Sequence, residues 1–274
     1  MSPKTPTSGE FASIKIIGSG LIGTSIGLAL ANKGVSVEMA DIDPRAAKLA
    51  NDLVACATVA SPEVILYAGP SSGLKSCLES EFKMNKHLKF IDIGSVKTKS
   101  LLDISESTIP TRQFLATHPM AGREVGGAQS ARGDLFQSRS WIYMPIDLEG
   151  VPVDPDLIAA GLWLIQTLGA TPVAMSAQRH DSAVALVSHL PQVMASLLAA
   201  QLLNAESELL DLAGAGLRDT TRIAASSPAL WDEILSSNSS ELLLLLINLQ
   251  SDLGAFIARL DASASVSDLI ERGN

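Results

Sequence analysis

The chain has 274 residues, 47% of them hydrophobic, which is apolar material enough for one large or two ordinary domains, and two are expected. A formal charge of -9 and a pI near 4.9, with no run of five basic residues, exclude long-range attraction to nucleic acid or anionic lipid, so an anionic ligand must meet individually placed cations. The two cysteines, Cys56 and Cys77, have no CxxC spacing and no histidines at ligand intervals, so neither a disulfide framework nor a metal site is expected.

The first ten residues are rich in Ser, Thr and Pro and lack an apolar run; residues 1–11 read as a disordered tail and not as a signal peptide. From Ser13 to about Ala174, short apolar runs bounded by Gly, Pro or Asp predict strands at Ile14–Ile17, Val35–Ala40, Val64–Tyr67, Phe90–Ile93, Phe114–Thr117, Trp141–Met144 and Thr171–Ala174. Between them Gly20–Asn32, Pro44–Leu53, Gly73–Phe82, Thr98–Ser107 and Asp154–Leu168 read as helices, several entered at Pro or Asp. This alternation is the pattern of βαβ units building a parallel sheet. After Ala174 the strand signal disappears. Residues 176–274 are Leu- and Ala-rich, with Ala183, Leu186, Val187, Leu190, Met194, Leu197 and Leu198 recurring at three and four, and they predict a separate all-helical domain. The stretch Glu241–Leu260 is too widely apolar for a helix with one face in water; the core of the helical domain or a subunit interface accounts for it, and a homodimer through this domain is expected. The longest uninterrupted apolar run, Leu242–Ile247, is far short of the ~18 residues of a membrane span. A cytoplasmic protein with neither membrane nor nucleic-acid partners is expected.

Gly18-Ser19-Gly20-Leu21-Ile22-Gly23 follows the first predicted strand and opens an apolar helix, the context that gives this glycine spacing its meaning. Gly18 makes the tight turn, Gly20 lets a pyrophosphate approach the amides at the helix N-terminus, and Gly23 lets helix and strand pack closely. Asp41 ends the next strand, where a carboxylate accepts hydrogen bonds from the adenosine ribose hydroxyls and repels a 2'-phosphate. NAD is therefore expected over NADP, although Arg45 follows four residues later. With the strand pattern, this gives an α/β fold class: a Rossmann-type, NAD-binding domain over residues 12–175, followed by the helical domain.

Asp92-Ile93-Gly94-Ser95-Val96-Lys97 stands at the carboxyl end of a predicted strand, the edge where ligands of doubly wound folds bind. Ser95 is placed to hold a nicotinamide or to orient a base, and equally to cap the helix that follows; Lys97 reads as a solvated charge at the helix start. His118 also ends a predicted strand, and Pro119-Met120-Ala121-Gly122 keeps its loop small, leaving the ring free to face a ligand as a base.

Together the fingerprint, Gly94-Ser95-Val96-Lys97 and His118-Pro119-Met120-Ala121-Gly122 resemble the prephenate and arogenate dehydrogenase family of tyrosine biosynthesis. The resemblance continues in order through His180-Asp181, Ser188-His189-Leu190-Pro191 and Arg218-Asp219-Thr220-Thr221-Arg222-Ile223-Ala224, then Pro228 and Trp231. It implies an NAD-dependent oxidative decarboxylation by a monofunctional enzyme, with His118 as general base, Ser95 orienting it and the nicotinamide, and Arg222 binding a substrate carboxylate. It further implies that Asp219 holds Arg222, that Trp231 walls the pocket, and that His189 belongs to the substrate site. By residue pattern alone, His189 is a helix-interior side chain on the Leu186/Leu190 side. Two positions depart from the family pattern. Gln192 replaces a histidine expected to touch the substrate side chain, and Arg123 replaces a small hydroxyl residue near the presumed pocket. A neutral amide oxygen accepts from an ammonium that a protonated histidine repels, so Gln192 tilts the expectation towards arogenate, while its ability to donate to a keto oxygen leaves dual specificity open. Two rival readings are a β-hydroxyacid dehydrogenase-type NAD oxidoreductase and a non-catalytic NAD-binding dimeric regulator. The first relies on a lysine in its helical domain, and residues 176–274 contain none.

Overall fold

The structure, a computed structural model, describes residues 9–55, 59, 61–122 and 125–273. It divides into two compact units: one ends at Asp181 and takes in Ser226–Ile234, and the other comprises Ser182–Ala225 and the chain from Leu235 onward. The first unit thus runs six residues beyond the expected domain end at residue 175, and a later segment returns to it. Contacts decide this where composition does not, because His180 and Asp181 are bonded into the first unit.

The first unit is built on seven strands: β1 Ser13–Ile17, β2 Ser36–Ala40, β3 Val64–Tyr67, β4 Lys89–Asp92, β5 Phe114–Pro119, β6 Ser140–Tyr143 and β7 Thr171–Ala174. They lie in the order β2-β1-β3-β4-β5-β6-β7. Every predicted strand is present within a residue or two. All neighbours pair parallel except β6, which runs antiparallel to β5 with His118 opposite Ile142. The parallel pairing expected from the alternation holds elsewhere and gives way there for a local reason. Parallel neighbours need a crossover, usually a helix, and the described part of the β5–β6 link holds only a short 3-10 turn at Ala128–Ser130.

The helices of this unit are α1 Leu21–Ala31, α2 Pro44–Val54, α3 Leu74–Met84, α4 Lys97–Ser105 and α5 Pro155–Thr167, with the larger part of α6 Ala177–Val184. Asp43 and Asp154 cap α2 and α5 by accepting the amides of Arg45 and Asp156, each with proline at the first helical position. Side chains alternate across the sheet into two apolar layers. Leu66, Ile91 and Leu115 pack with Ile26, Leu30 and Leu164 on one side, and Ile65, Phe90 and Phe114 with Leu78, Phe82 and Leu101 on the other. Burial on both faces explains the uninterrupted apolar run of β3, since each such side chain contributes ~1.5–3 kcal/mol. The expected tail ends earlier than residue 11: residues 1–8 lie outside the described residues, but Phe11 is buried, its ring edge-on to Trp163 at 4.7 Å between centroids.

The second unit is helical, as expected. It contains a π-helical turn at Ala185–His189, α7 Leu190–Gln201, α8 Ser207–Leu210, α9 Ala215–Thr221, a 3-10 turn at Arg222–Ala225, α11 Ser239–Asp261 and α12 Ser267–Glu271; α10, Pro228–Ser237, lies mostly in the first unit. The apolar stripe read from the sequence is not its core. Leu186, Val187, Met194, Leu197 and Leu198 are exposed, whereas Val184, Ala185, His189, Gln192 and Ala195 are buried. The π turn, which precedes Pro191 with its missing amide, inserts an extra residue and rotates the inward face. Along α11 only Leu242 is buried, and Leu243, Leu244, Ile247, Leu253, Ile257 and Leu260 are each more than half exposed.

Candidate active site

The glycine turn between β1 and α1 has the shape its sequence predicts. Gly18 adopts φ +112°, and a Cβ there would lie 2.5 Å from the Ala68 carbonyl; a Cβ on Gly23 would overlap the Gly18 carbonyl oxygen. Beside Gly20 there is open space, with no atom within 4 Å of where its Cβ would stand. Helix α1 begins at Leu21 with no side chain capping it and no acidic residue in its first turn. Its first amides lack intrahelical partners and point, with the helix dipole, towards that space. Ser19 is buried, and its amide donates to Asp41 Oδ2 at 2.7 Å, while Oδ1 accepts from the Asp43 amide at 3.0 Å. Asp41 is thus fixed beside the turn with lone pairs to spare. The Arg45 side chain is 95% exposed, beside Asp43. A cradle that a Cβ would fill, a carboxylate at its rim and no inward cation fit NAD, bound by Gly18–Gly23 and Asp41.

The loops after β1, β3, β4 and β5 leave the same edge of the sheet, because these strands are parallel. At the end of β4, Asp92 is buried and accepts from the Gly94 amide at 2.9 Å. Its other oxygen is bonded to the Lys97 ammonium, which also donates to the Thr117 carbonyl at 2.8 Å. Lys97 is fully buried, not the solvated charge expected at a helix start. Thr117 Oγ1 donates to the Asp92 carbonyl at 2.8 Å and accepts from Trp141 Nε1 at 2.9 Å. Four side chains therefore brace the strand end that carries His118.

His118 is half-buried, with Nδ1 2.9 Å from Nε2 of His180 and the two rings nearly perpendicular. His180 is fully buried, and its Nδ1 lies 2.7 Å from Asp181 Oδ1. Asp181 accepts in addition from the Lys97 amide at 2.9 Å and the Thr98 amide at 2.8 Å, so a carboxylate more than eighty residues away caps α4. Burial pushes the Asp181 carboxyl upward, but its bonds from His180, Thr98 and Lys97 outweigh that and hold it below its ordinary value. Ser95 is half-buried in the turn before α4. It does not cap the helix, whose N-cap position is Val96, and no described residue hydrogen-bonds its hydroxyl.

Trp231 is half-buried on α10. On the same helix Glu233 accepts from both the amide and, at 2.6 Å, the hydroxyl of Ser71. Arg123 lies outside the described residues.

In the second unit Gln192 is buried, and its amino group donates to the Ile223 carbonyl at 3.1 Å and Ser196 Oγ at 3.2 Å. A carbonyl only accepts, so the amide orientation is determined: both donor hydrogens are engaged and Oε1 faces away from them. This bond ties α7 to the 3-10 turn that Arg222 opens. Arg222 and Asp219 are both exposed, and among the described residues no ion pair joins them; Asp219 stands within α9, Arg222 in the tighter turn after it. His189 is buried, with Nδ1 3.2 Å from the amide nitrogen of Asn238, the residue that starts α11. It joins the turn before α7 to the start of α11, with Leu186 exposed.

His180, Asp181, Lys97 and Asp92 are the site residues that the sequence left without a role. Only His180-Asp181 carried a signal, as an adjacent pair within the ordered motifs.

Comparison with known proteins gives concordant matches. Residues 26–152 match the family described as prephenate dehydrogenase, nucleotide-binding domain, a match beginning just after the glycine turn, and residues 176–265 match prephenate dehydrogenase, dimerization domain. A probable prephenate dehydrogenase of Streptomyces niveus is 30% identical over 249 residues, covering 89% of this chain and 68% of that one. The prephenate dehydrogenase of Bacillus subtilis is 31% identical over 252 residues, covering 84% and 65%. The chain thus spans about two thirds of the length of these curated relatives. The crystal structure of the Aquifex aeolicus prephenate dehydrogenase with hydroxyphenyl propionate and NAD+ superposes with a TM-score of 0.82 at 23% identity, over 97% of this chain and 96% of that one, a likeness of fold.

Proposed function

Because the chain belongs to the prephenate dehydrogenase family, an oxidoreductase family with a nucleotide-binding domain, we propose that it catalyses the NAD-dependent oxidative decarboxylation of prephenate or arogenate in tyrosine biosynthesis, with arogenate preferred. The observation that carries this reading is an imidazole anchored through one ring nitrogen at the same sheet edge as the nucleotide cradle. Bound NAD supplies the acceptor for the hydride that leaves the ring carbon bearing the hydroxyl. His118 removes the hydroxyl proton, worth ~10²–10⁴ in rate for a positioned general base, as the ring carboxylate departs as carbon dioxide and the ring becomes aromatic. The Ser95 hydroxyl, engaged by no described residue, is the group assigned to the nicotinamide and, once NAD is bound, to orienting the imidazole. Arg222 holds a substrate carboxylate through two parallel hydrogen bonds, and Trp231 walls the ring.

The preference for arogenate rests on Gln192. Its two donor hydrogens are spent on Ile223 and Ser196, which leaves an acceptor. An ammonium satisfies an acceptor; a keto oxygen needs the donor that Gln192 has already used. The exposed apolar faces of α7 and α11 fit a second copy of the chain, so the proposed enzyme is a homodimer joined through its helical unit, in the segment that matches the family's dimerization domain.

Following NADH absorbance at fixed NAD, with each substrate separately, tests the reading. Turnover is expected with arogenate, faster than with prephenate, and His118→Asn lowers kcat by ~100-fold or more. No turnover with either substrate refutes the activity; turnover with prephenate alone refutes the role of Gln192.

A further inference from the structure

We propose that His180 and Asp181 are positioning residues that hold His118 in the tautomer with its proton on Nδ1, making Nε2 the basic nitrogen. This rests on the reading of His118 as the base. The argument runs inward from the carboxylate. An ionised carboxylate only accepts, so the 2.7 Å contact of Asp181 Oδ1 with His180 Nδ1 requires a proton on that nitrogen. With His180 taken as the neutral ring, its lone pair lies on Nε2, and across the 2.9 Å separation from His118 Nδ1 the proton of that bond belongs to His118. Nε2 of His118 is left with a lone pair. An unconstrained imidazole exchanges between two tautomers, and only this one is a base at Nε2.

Asp181 is itself immobilised, since its two oxygens also accept the amides of Lys97 and Thr98 at the start of α4. The Lys97 ammonium is bonded to the carbonyl of the residue preceding His118 and paired with Asp92. When His118 takes a proton, its Nδ1–H bond to His180 strengthens, and the positive charge is stabilised through a ring that has no exposed surface.

The test reads the tautomer directly and the kinetics separately. In protein labelled with ¹⁵N-histidine, two-bond ¹⁵N–¹H correlations at neutral pH, assigned through His118→Asn, should show His118 protonated on Nδ1. Asp181→Ala removes the acceptor of the His180 Nδ1 proton, so His180 no longer has a fixed tautomer and His118 should show both tautomers. There kcat should fall ~10- to 100-fold, part of what a general base contributes, with KM and NAD affinity unchanged. His180→Leu, which leaves the α4 cap intact, should show the same kinetic split. Wild-type His118 protonated on Nε2, or His180→Leu with undiminished kcat, overturns the proposal. Absence of turnover by the wild type would instead refute the functional reading, with the tautomer still decided by the spectra.

Discussion

Replacing Lys97 by methionine removes an ammonium from between the Asp92 carboxylate and the Thr117 carbonyl while keeping an unbranched side chain of similar length. Lys97 is 0% and Asp92 2% exposed, so water cannot replace the lost partner. The donor left to Asp92 is the Gly94 amide at 2.9 Å, on its other oxygen. Breaking a buried pair from one side costs ~3–5 kcal/mol, because the remaining charge stays buried without compensation. With a urea slope of about 2 kcal/mol/M, the unfolding midpoint of the first unit should drop by ~1.5–2.5 M. Trp141, Trp163 and Trp231, the three tryptophans of the chain, all lie in that unit, so tryptophan fluorescence reports its unfolding alone. Lys48→Met is the control: Lys48 meets Asp52 at 2.8 Å with side chains 76% and 65% exposed, and an exposed helical pair is worth ~0.3–0.5 kcal/mol. The double variant Asp92→Asn/Lys97→Met should recover most of the loss, since no charge is left unpaired. Equal midpoint shifts for Lys97→Met and Lys48→Met, or a double variant less stable than the single, would refute the reasoning.

Further predictions separate binding from folding. Gly20→Ala should leave thermal stability unchanged, because its methyl meets no protein atom, yet weaken NAD by about tenfold, ~1.4 kcal/mol, in a fluorescence titration; Gly23→Ala should lower the melting temperature, because its methyl overlaps the Gly18 carbonyl. Gln192→His should shift the kcat/KM ratio towards prephenate, and an unchanged ratio would remove Gln192 from the substrate site. Arg222→Ala should raise KM with little change in kcat, as expected for a group that binds ground and transition states alike. The stability that ionised Asp181 adds is present above the unfolded carboxylate pKa of about 3.9 and lost as pH falls through its lower folded value, so the melting-temperature gap between wild type and Asp181→Asn should close on acidification.

The sequence by itself determined what short-range patterns encode. Strand positions followed from apolar runs between turn residues, helix entries from Asp-Pro pairs, and the cradle from glycines whose turn, open side and close packing are set within six residues. His118 was legible for the same reason, as a ring ending a strand before a small loop. The helical half was legible as helices, but 3.6-residue periodicity locates an apolar stripe without saying whether core or partner covers it, and one π turn put His189 and Gln192 inside and Leu186 outside. The direction of β6 depended on a link without a crossover helix. Lys97 reads as solvated because a lone lysine at a helix start ordinarily is; only the packing of β4 against β5 put a carboxylate and a carbonyl around it. His118 and His180, 62 residues apart, meet through tertiary structure alone. Which nitrogen of a histidine is basic depends on the partner of the other nitrogen, and that partner is chosen by the fold, not by neighbours in sequence.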